Sequence, residues 1–121
     1  MNIIIDTWLY GDLARYGGAA DQGSFANLQV TLTEGSSVRD LLAKLKMPTE
    51  ERGLTFINGN LSALPDVQPD LDHILMNGDR VAFFHLRSMW PYQYRQDAAM
   101  ISELSTALNS RSDQGLHHTS K

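Results

Sequence analysis

The chain has no cysteine among its 121 residues. That absence excludes disulfides, thiolate metal sites and any cysteine nucleophile or persulfide carrier. Basic charge is also scarce. Ten Lys and Arg stand against fourteen Asp and Glu, for a net charge of −4, so there is no basic stripe of the kind that a sequence-independent phosphate binder carries. Arg80, Arg87 and Arg95 lie close in sequence but read as solvated edge charges, not as a nucleic-acid surface. No window approaches the ~18 apolar residues of a membrane span, and residues 1–6 lack the basic start and long apolar stretch of a secretory signal. The expectation is a cytoplasmic protein that binds neither nucleic acid nor membrane.

Motifs for enzymatic chemistry are missing as well. There is no G-x-S-x-G elbow, P-loop or dinucleotide fingerprint, and no serine is paired with a base by spacing. The histidines are His73, His85, His117 and His118, and none forms the i, i+4 pair or the His-Glu-x-x-His motif of a zinc site. His117-His118 read as tail bystanders. Asp66, Asp70, Asp72 and His73 form an acidic cluster without the ligand spacing of an EF-hand, and read as a solvated loop. No catalytic residue, metal or cofactor is expected.

What is present reads as one domain with a core, since 42% of residues are apolar and 20% charged. Residues 2–10 are rich in isoleucine and aromatics and should form a strand. Gly11, Gly17, Gly18 and Gly23 then mark a loop, with one helical turn at 12–16. In 26–33, Leu28, Val30 and Leu32 alternate with polar residues, the pattern of a half-buried strand pairing with the first. Ser37 and Asp40 make an approximate capping box, and Val38, Leu41, Leu42 and Leu45 put one apolar face on a helix over 37–45, which Pro48 stops. Residues 54–57 are a short strand, and Asn58-Gly59 is a hairpin signal, because both residues tolerate the positive φ of a type I′ turn. Residues 61–75 look irregular, with a helical turn at 71–75. Asn77-Gly78-Asp79 turns the chain into a last strand, 80–84. The expected core is Ile3, Ile5, Leu28, Val30, Val38, Leu41, Leu42, Leu45, Ile57, Leu75, Val81 and Phe83.

Strand, strand, helix, strand, short strand, strand is the order of the ubiquitin-like β-grasp fold, a mixed four- to five-stranded sheet crossed by one helix. Thr33-Glu34-Gly35-Ser36-Ser37-Val38-Arg39-Asp40-Leu41-Leu42 resembles the helix entry of the MoaD/ThiS sulfur-carrier family. Phe56-Ile57-Asn58-Gly59 resembles that family's V-N-G hairpin, and Leu75-Met76-Asn77-Gly78-Asp79-Arg80-Val81-Ala82-Phe83-Phe84 resembles its closing strand. Trp8-Leu9-Tyr10-Gly11-Asp12-Leu13-Ala14 is similar to the first strand and turn of the molybdopterin-synthase small-subunit branch. The resemblance covers residues 1–85 and implies an α+β fold for them.

It also implies a C-terminal Gly-Gly, whose carboxylate an activating enzyme adenylates before it becomes a thiocarboxylate. Here Phe84 is followed by His85-Leu86-Arg87-Ser88-Met89-Trp90-Pro91-Tyr92, and the sole Gly-Gly is Gly17-Gly18 in the first loop, which reads as a turn. The expectation is therefore a non-catalytic docking or accessory module linked to molybdenum or tungsten cofactor or sulfur-transfer metabolism. The alternative is a genuine sulfur carrier for molybdopterin or thiamine synthesis by an unrecognised C-terminal route. Implied partners are an activating-enzyme-like protein, a molybdenum or tungsten enzyme or its synthase subunit, or a second copy of the chain.

Residues 86–109 are the departure from a minimal carrier. Trp90, Tyr92 and Tyr94 alternate, with Arg87 and Arg95 flanking. Such rings either cover the domain's own sheet or form an interface, where Trp, Tyr and Arg are enriched. Phe84, Arg87, Trp90, Tyr92, Tyr94 and Arg95 are the expected partner-binding residues. Residues 97–109 carry Ile101, Leu104 and Leu108 at helical spacing and must dock on something to be stable. Residues 110–121 are polar and expected to be disordered.

Overall fold

The computed structural model describes residues 1–88 and 99–109. Five strands form one mixed sheet: β1 (Asn2–Tyr10), β2 (Phe25–Thr33), β3 (Arg52–Ile57), β4 (Asn60–Ala63) and β5 (Arg80–His85), in the order β2-β1-β5-β3-β4. β1 runs antiparallel to β2 and parallel to β5, while β3 is antiparallel to both β5 and β4. The helix α1 (Val38–Leu45) packs on one face, and 102–109 form a second helix, α2. The chain is thus α+β, with a five-stranded mixed sheet.

Periodicity explains the layering. On β1, Ile3, Ile5 and Leu9 are buried toward α1 and meet Val38, Leu41, Leu42 and Leu45, together with Val30, Ile57, Leu75, Val81 and Phe83. Of the expected core only Leu28 differs. It is half-buried at the rim, because β2 is an edge strand. The carboxylate of Asp40 accepts from the backbone N–H of Ser37 at 2.8 Å and from its hydroxyl at 3.2 Å. The helix ends before Pro48 is reached: Lys46 takes a left-handed φ of 58° and its N–H returns to the Ala43 and Leu42 carbonyls. Asn58 and Gly59 have φ of 51° and 83°, the sign pattern the β3–β4 turn requires.

Four expectations are corrected. The first loop is a 3-10 segment over Gly11–Ala20, interrupted at Gly18 (φ 57°), not one turn at 12–16. Gly17 is buried there, and a Cβ would lie 2.5 Å from Ala26 Cβ, so close backbone approach explains the first glycine and positive φ the second. The turn expected at 71–75 lies at Pro69–Asp72, where Pro69 opens the segment. α2 begins at 102, not 97. Residues 99–101 are extended along β4 instead: the Leu61 N–H donates to Ala99 O at 2.7 Å and the Ile101 N–H to Leu61 O at 2.9 Å. Leu104 then buries fully against Leu54, Leu61 and Val67, with Ile101 and Leu108 beside it.

The fourth correction concerns Asp70, which is no solvated loop residue. Its side chain is fully buried and forms a bidentate pair with Arg52, both bonds 2.8 Å. Arg52 also donates to Thr49 Oγ1 and Thr55 Oγ1, and the Ser62 hydroxyl donates to Asp70 at 2.8 Å. Of the remaining acidic-cluster residues, Asp72 pairs with Arg39 on the surface, and His73 Nδ1 lies 2.5 Å from Glu103 on α2. Pairing requires a tertiary partner, which local sequence cannot name.

Removing one member of a buried pair strands the other charge. Asp70→Ala should therefore destabilise the protein by about 3–5 kcal/mol in urea unfolding, whereas Arg52→Met combined with Asp70→Leu should recover most of that loss. A single variant that unfolds within 1 kcal/mol of the parent, on the ~1 kcal/mol scale of an ordinary substitution, would show that the pair does not organise this end of the sheet.

Candidate functional site

Two features meet where β1 and β5 end side by side. The first is a row of aromatic rings on the face of the sheet opposite α1. Side chains alternate along a strand, so the residues between the buried positions of β1, Asp6, Trp8 and Tyr10, all project to this second face, as do Ala82 and Phe84 of β5. The registers Tyr10↔Phe84 and Tyr10↔Phe25 bring the rings together. Phe25 and Trp8 stack with centroids 6.1 Å apart, Trp8 and Tyr10 at 6.0 Å, and Tyr10 and Phe84 at 4.6 Å. Phe56 of β3 closes the row edge-on to Phe84 at 5.9 Å. Five rings thus cross four strands. Offset stacks and edge-on pairs of this kind add about 0.5–1.5 kcal/mol each beyond area burial, so the row is rigid as well as apolar.

Beyond Trp8 the same face turns polar. Asp6 accepts from the Asn27 side chain at 2.8 Å, from Gln29 at 3.2 Å and from Arg80 at 3.3 Å. Burial raises the Asp6 pKa, but these donors outweigh it and hold the carboxyl below its ordinary value. The Trp8 indole N–H lies close enough to add to that effect. It is buried and makes no directional hydrogen bond among the described residues.

The second feature is an open cleft of about 540 Å³ at the strand ends, lined by Gly11, Asp12, Arg15, Glu51, His85 and Arg87 among others. Glu51 is its hub. Tyr16 donates its hydroxyl to Glu51 Oε2 at 2.6 Å, and Arg15 pairs with Oε1 while its guanidinium lies 4.5 Å from the Tyr16 ring centroid. The Tyr16 hydroxyl and the Arg15 guanidinium hold the Glu51 carboxyl below the ordinary range, and the same contact with Glu51 pushes the Tyr16 hydroxyl up. His85 Nδ1 accepts from the Arg87 N–H at 3.0 Å, which assigns the proton of a neutral ring to Nε2. That nitrogen faces Glu51 at 3.7 Å, beyond a direct hydrogen bond. Glu51 is occupied by its donors, so the arrangement anchors the outgoing chain and offers polar contacts. Among the described residues no group of three or more His, Asp or Glu is placed to hold a metal ion.

Of the expected partner-binding residues, Phe84 stands in the aromatic row and Arg87 lines the cleft. Trp90, Tyr92, Tyr94 and Arg95 lie outside the described residues, as does 110–121. Sequence reading missed Trp8, Tyr10, Phe25 and Phe56, although the i, i+2 spacing of Trp8 and Tyr10 inside a strand was signal enough to place them on one face. For Arg15, Tyr16 and Glu51 no local signal existed, because a loop and a short 3-10 turn come together only in three dimensions.

No family model, curated protein or solved structure matches the chain.

A carboxyl whose folded-state pKa is lowered stabilises the fold fully above the ordinary glutamate pKa of about 4.3, and that contribution is lost as pH falls through the lower, folded-state value. Glu51→Gln should accordingly flatten the acid side of a melting-temperature profile taken between roughly pH 3 and 6. Asp6 and Glu103 are lowered too and leave a residual slope. Parent and variant profiles of equal slope would remove Glu51 from the account.

Proposed function

We propose that the chain is a non-catalytic β-grasp protein of MoaD/ThiS type that acts as a protein-docking or accessory module, linked to molybdenum or tungsten cofactor or sulfur-transfer metabolism. The strand order β2-β1-β5-β3-β4, with β1 parallel to β5 and α1 between β2 and β3, supports the β-grasp part of the reading. The motif strings at the helix entry, the Asn58-Gly59 hairpin and β5 support the family part.

The observation that carries the docking role is the aromatic row. Rings stacked across four strands, half-buried apart from the exposed Phe25, form a stiff patch that includes Phe84, where a sulfur carrier's tail leaves the domain. Stacking removes side-chain freedom before any partner arrives, so little more is lost on binding. The cleft beside it adds Arg87 and His85 as polar contacts at the rim, the arrangement of an interface with an apolar centre. Carrier chemistry has less support, since residues 86–121 contain no Gly-Gly and the pair at Gly17-Gly18 is occupied as a turn.

The test titrates the protein with two partner classes, an adenylating activating enzyme and the large subunit of a molybdopterin synthase, and compares Phe84→Ala with the parent. A ring at a hot spot is worth roughly 2 kcal/mol or more, so the variant should bind at least tenfold more weakly while keeping a cooperative thermal transition. Unchanged affinity in a variant whose melting temperature has fallen would make the row part of the fold's own packing and end the docking reading. Intact-mass measurement after incubation with activating enzyme, ATP and a sulfur donor tests the carrier alternative. Replacement of one oxygen by sulfur on the full or a trimmed chain would establish that alternative instead.

A further inference from the structure

The two edges of the sheet are treated differently. The β4 edge is covered by residues 99–101, through hydrogen bonds in both directions with Leu61. β2 is the other edge. The Glu34 N–H donates to Met1 O, and in an antiparallel pair the amides alternate between the two sides of a strand. Leu28, Val30 and Leu32 therefore bond toward β1, and Gln29, Thr31 and Thr33 present their backbone groups outward. The start of the strand is blocked, since the Gln22 N–H donates to Phe25 O and Asp21 bridges Ala26. Among the described residues nothing bonds to the outward backbone of Gln29 and Thr31.

This free stretch has none of the usual protection. β2 contains no charged residue and no proline, and its register with β1 is continuous, without a bulge. Edge strands that must stay single normally carry at least one such feature. Alongside it runs a groove between β2 and α1, lined by Leu28, Val30 and Leu45, with Lys44 and Lys46 at its rim. Those are two of the three lysines in the chain, and neither makes an ion pair among the described residues.

The geometry points to a second binding site, distinct from the aromatic row: an extended peptide segment adds to β2 as a sixth strand. Its residues facing the α1 side are aliphatic and fill the groove over Leu28 and Val30. Its residues on the other side are small and polar, beside Gln29 and Thr31, and an acidic stretch continues from it onto Lys44 and Lys46. Charge selects this occupant over two others. Pairing β2 with a second copy about a twofold axis would bring Lys44 and Lys46 of both copies to the same side of the joint, with like charges facing. Residues 110–121 hold Arg111 and Lys121 against a single acid, Asp113, so the chain's own end lacks the acidic stretch.

The probe is a fluorescein-labelled peptide of alternating valine and serine followed by a run of aspartates, titrated onto the full chain, with a scrambled peptide of the same composition as control. Saturable binding of the patterned peptide is expected, weakened about tenfold by Lys44→Glu combined with Lys46→Glu, as two lost exposed charge pairs imply. Binding of the double variant should return when the aspartates are replaced by lysines. Hydrogen exchange at Gln29, Thr31 and Thr33 should slow on binding, while exchange at Leu28 and Val30 changes little. Three results would overturn the proposal: affinity indifferent to charge reversal or to scrambling, exchange slowing elsewhere but not at the outward amides, and outward amides already protected in the free protein. In the last case, protection that rises with protein concentration identifies a second copy, and protection independent of concentration identifies the chain itself. None of these readouts uses Phe84, so they stand or fall separately from the docking role of the aromatic row.

Discussion

The buried pair of Arg52 and Asp70 is the constraint on which much of the fold's far end depends. A guanidinium and a carboxylate that are both removed from water need every donor and acceptor matched, or the desolvation cost exceeds their attraction. Here the matching groups come from four places: Thr49 before β3, Thr55 within it, Ser62 on β4 and Asp70 itself from the segment that follows. Satisfying one ion pair therefore fixes the path of the chain from 49 to 72. The consequence reaches α1. With Asp70 held, the next residues run alongside the helix entry, where the Val38 N–H donates to His73 O and the Leu75 N–H to Ser36 O. His73 is also brought to Glu103, whose carboxyl it holds below the ordinary range, so the same pair indirectly locates α2.

The sheet's two faces follow from a single alternation and end in opposite uses. On β1 the odd positions Ile3, Ile5, Thr7 and Leu9 are buried under α1, and Thr7 is accommodated there because its hydroxyl donates to the Ile5 carbonyl. The even positions Asp6, Trp8 and Tyr10 run from polar to aromatic on the other side. Stacked rings on one face and α1 on the other hold β1 and β5 from both sides. Their parallel ends accordingly form a firm base for the cleft around Glu51. A site on rigid strands holds its geometry better than one on loops, and the rings gain from that placement.

Much of this was legible in the residues, for identifiable reasons. Val38, Leu41, Leu42 and Leu45 could satisfy only a helix period, and Leu28, Val30 and Leu32 only a strand period, so both elements and their inward faces followed. Asn58-Gly59 placed a turn whose backbone needs positive φ twice. The failures share a cause. Asp70 looked like a loop acid because four titratable residues stood together in 66–73, yet its burial depends on an arginine eighteen residues away. The segment before α2 looked helical because Ile101, Leu104 and Leu108 have helical spacing, but the unpaired backbone of β4 captured residues 99–101 first. The aromatic face is half-legible: the residues alone make Phe84 a candidate contact, while Trp8 and Tyr10 mark a strand and a family resemblance but not a shared surface. Register, which no local pattern supplies, is what joins them.

The unequal treatment of the two sheet edges bears on what the C-terminal segment does for the fold. A sheet of this size with both edges bare is prone to pair with other chains. Covering β4 with 99–101 removes one edge, and it does so at the strand whose own span, four residues, is the shortest in the sheet. α2 then seats Leu104 over Leu54 and Leu61, so the backbone cover is held by apolar burial and not by two hydrogen bonds alone. The segment is thus structural at that edge, and Phe56, the last ring of the aromatic row, packs against the same cluster. Association at β4 is prevented by the chain itself, and a strand added from outside is directed to β2, whose outward backbone at Gln29 and Thr31 is free among the described residues, beside the two lysines of α1 and its C-cap.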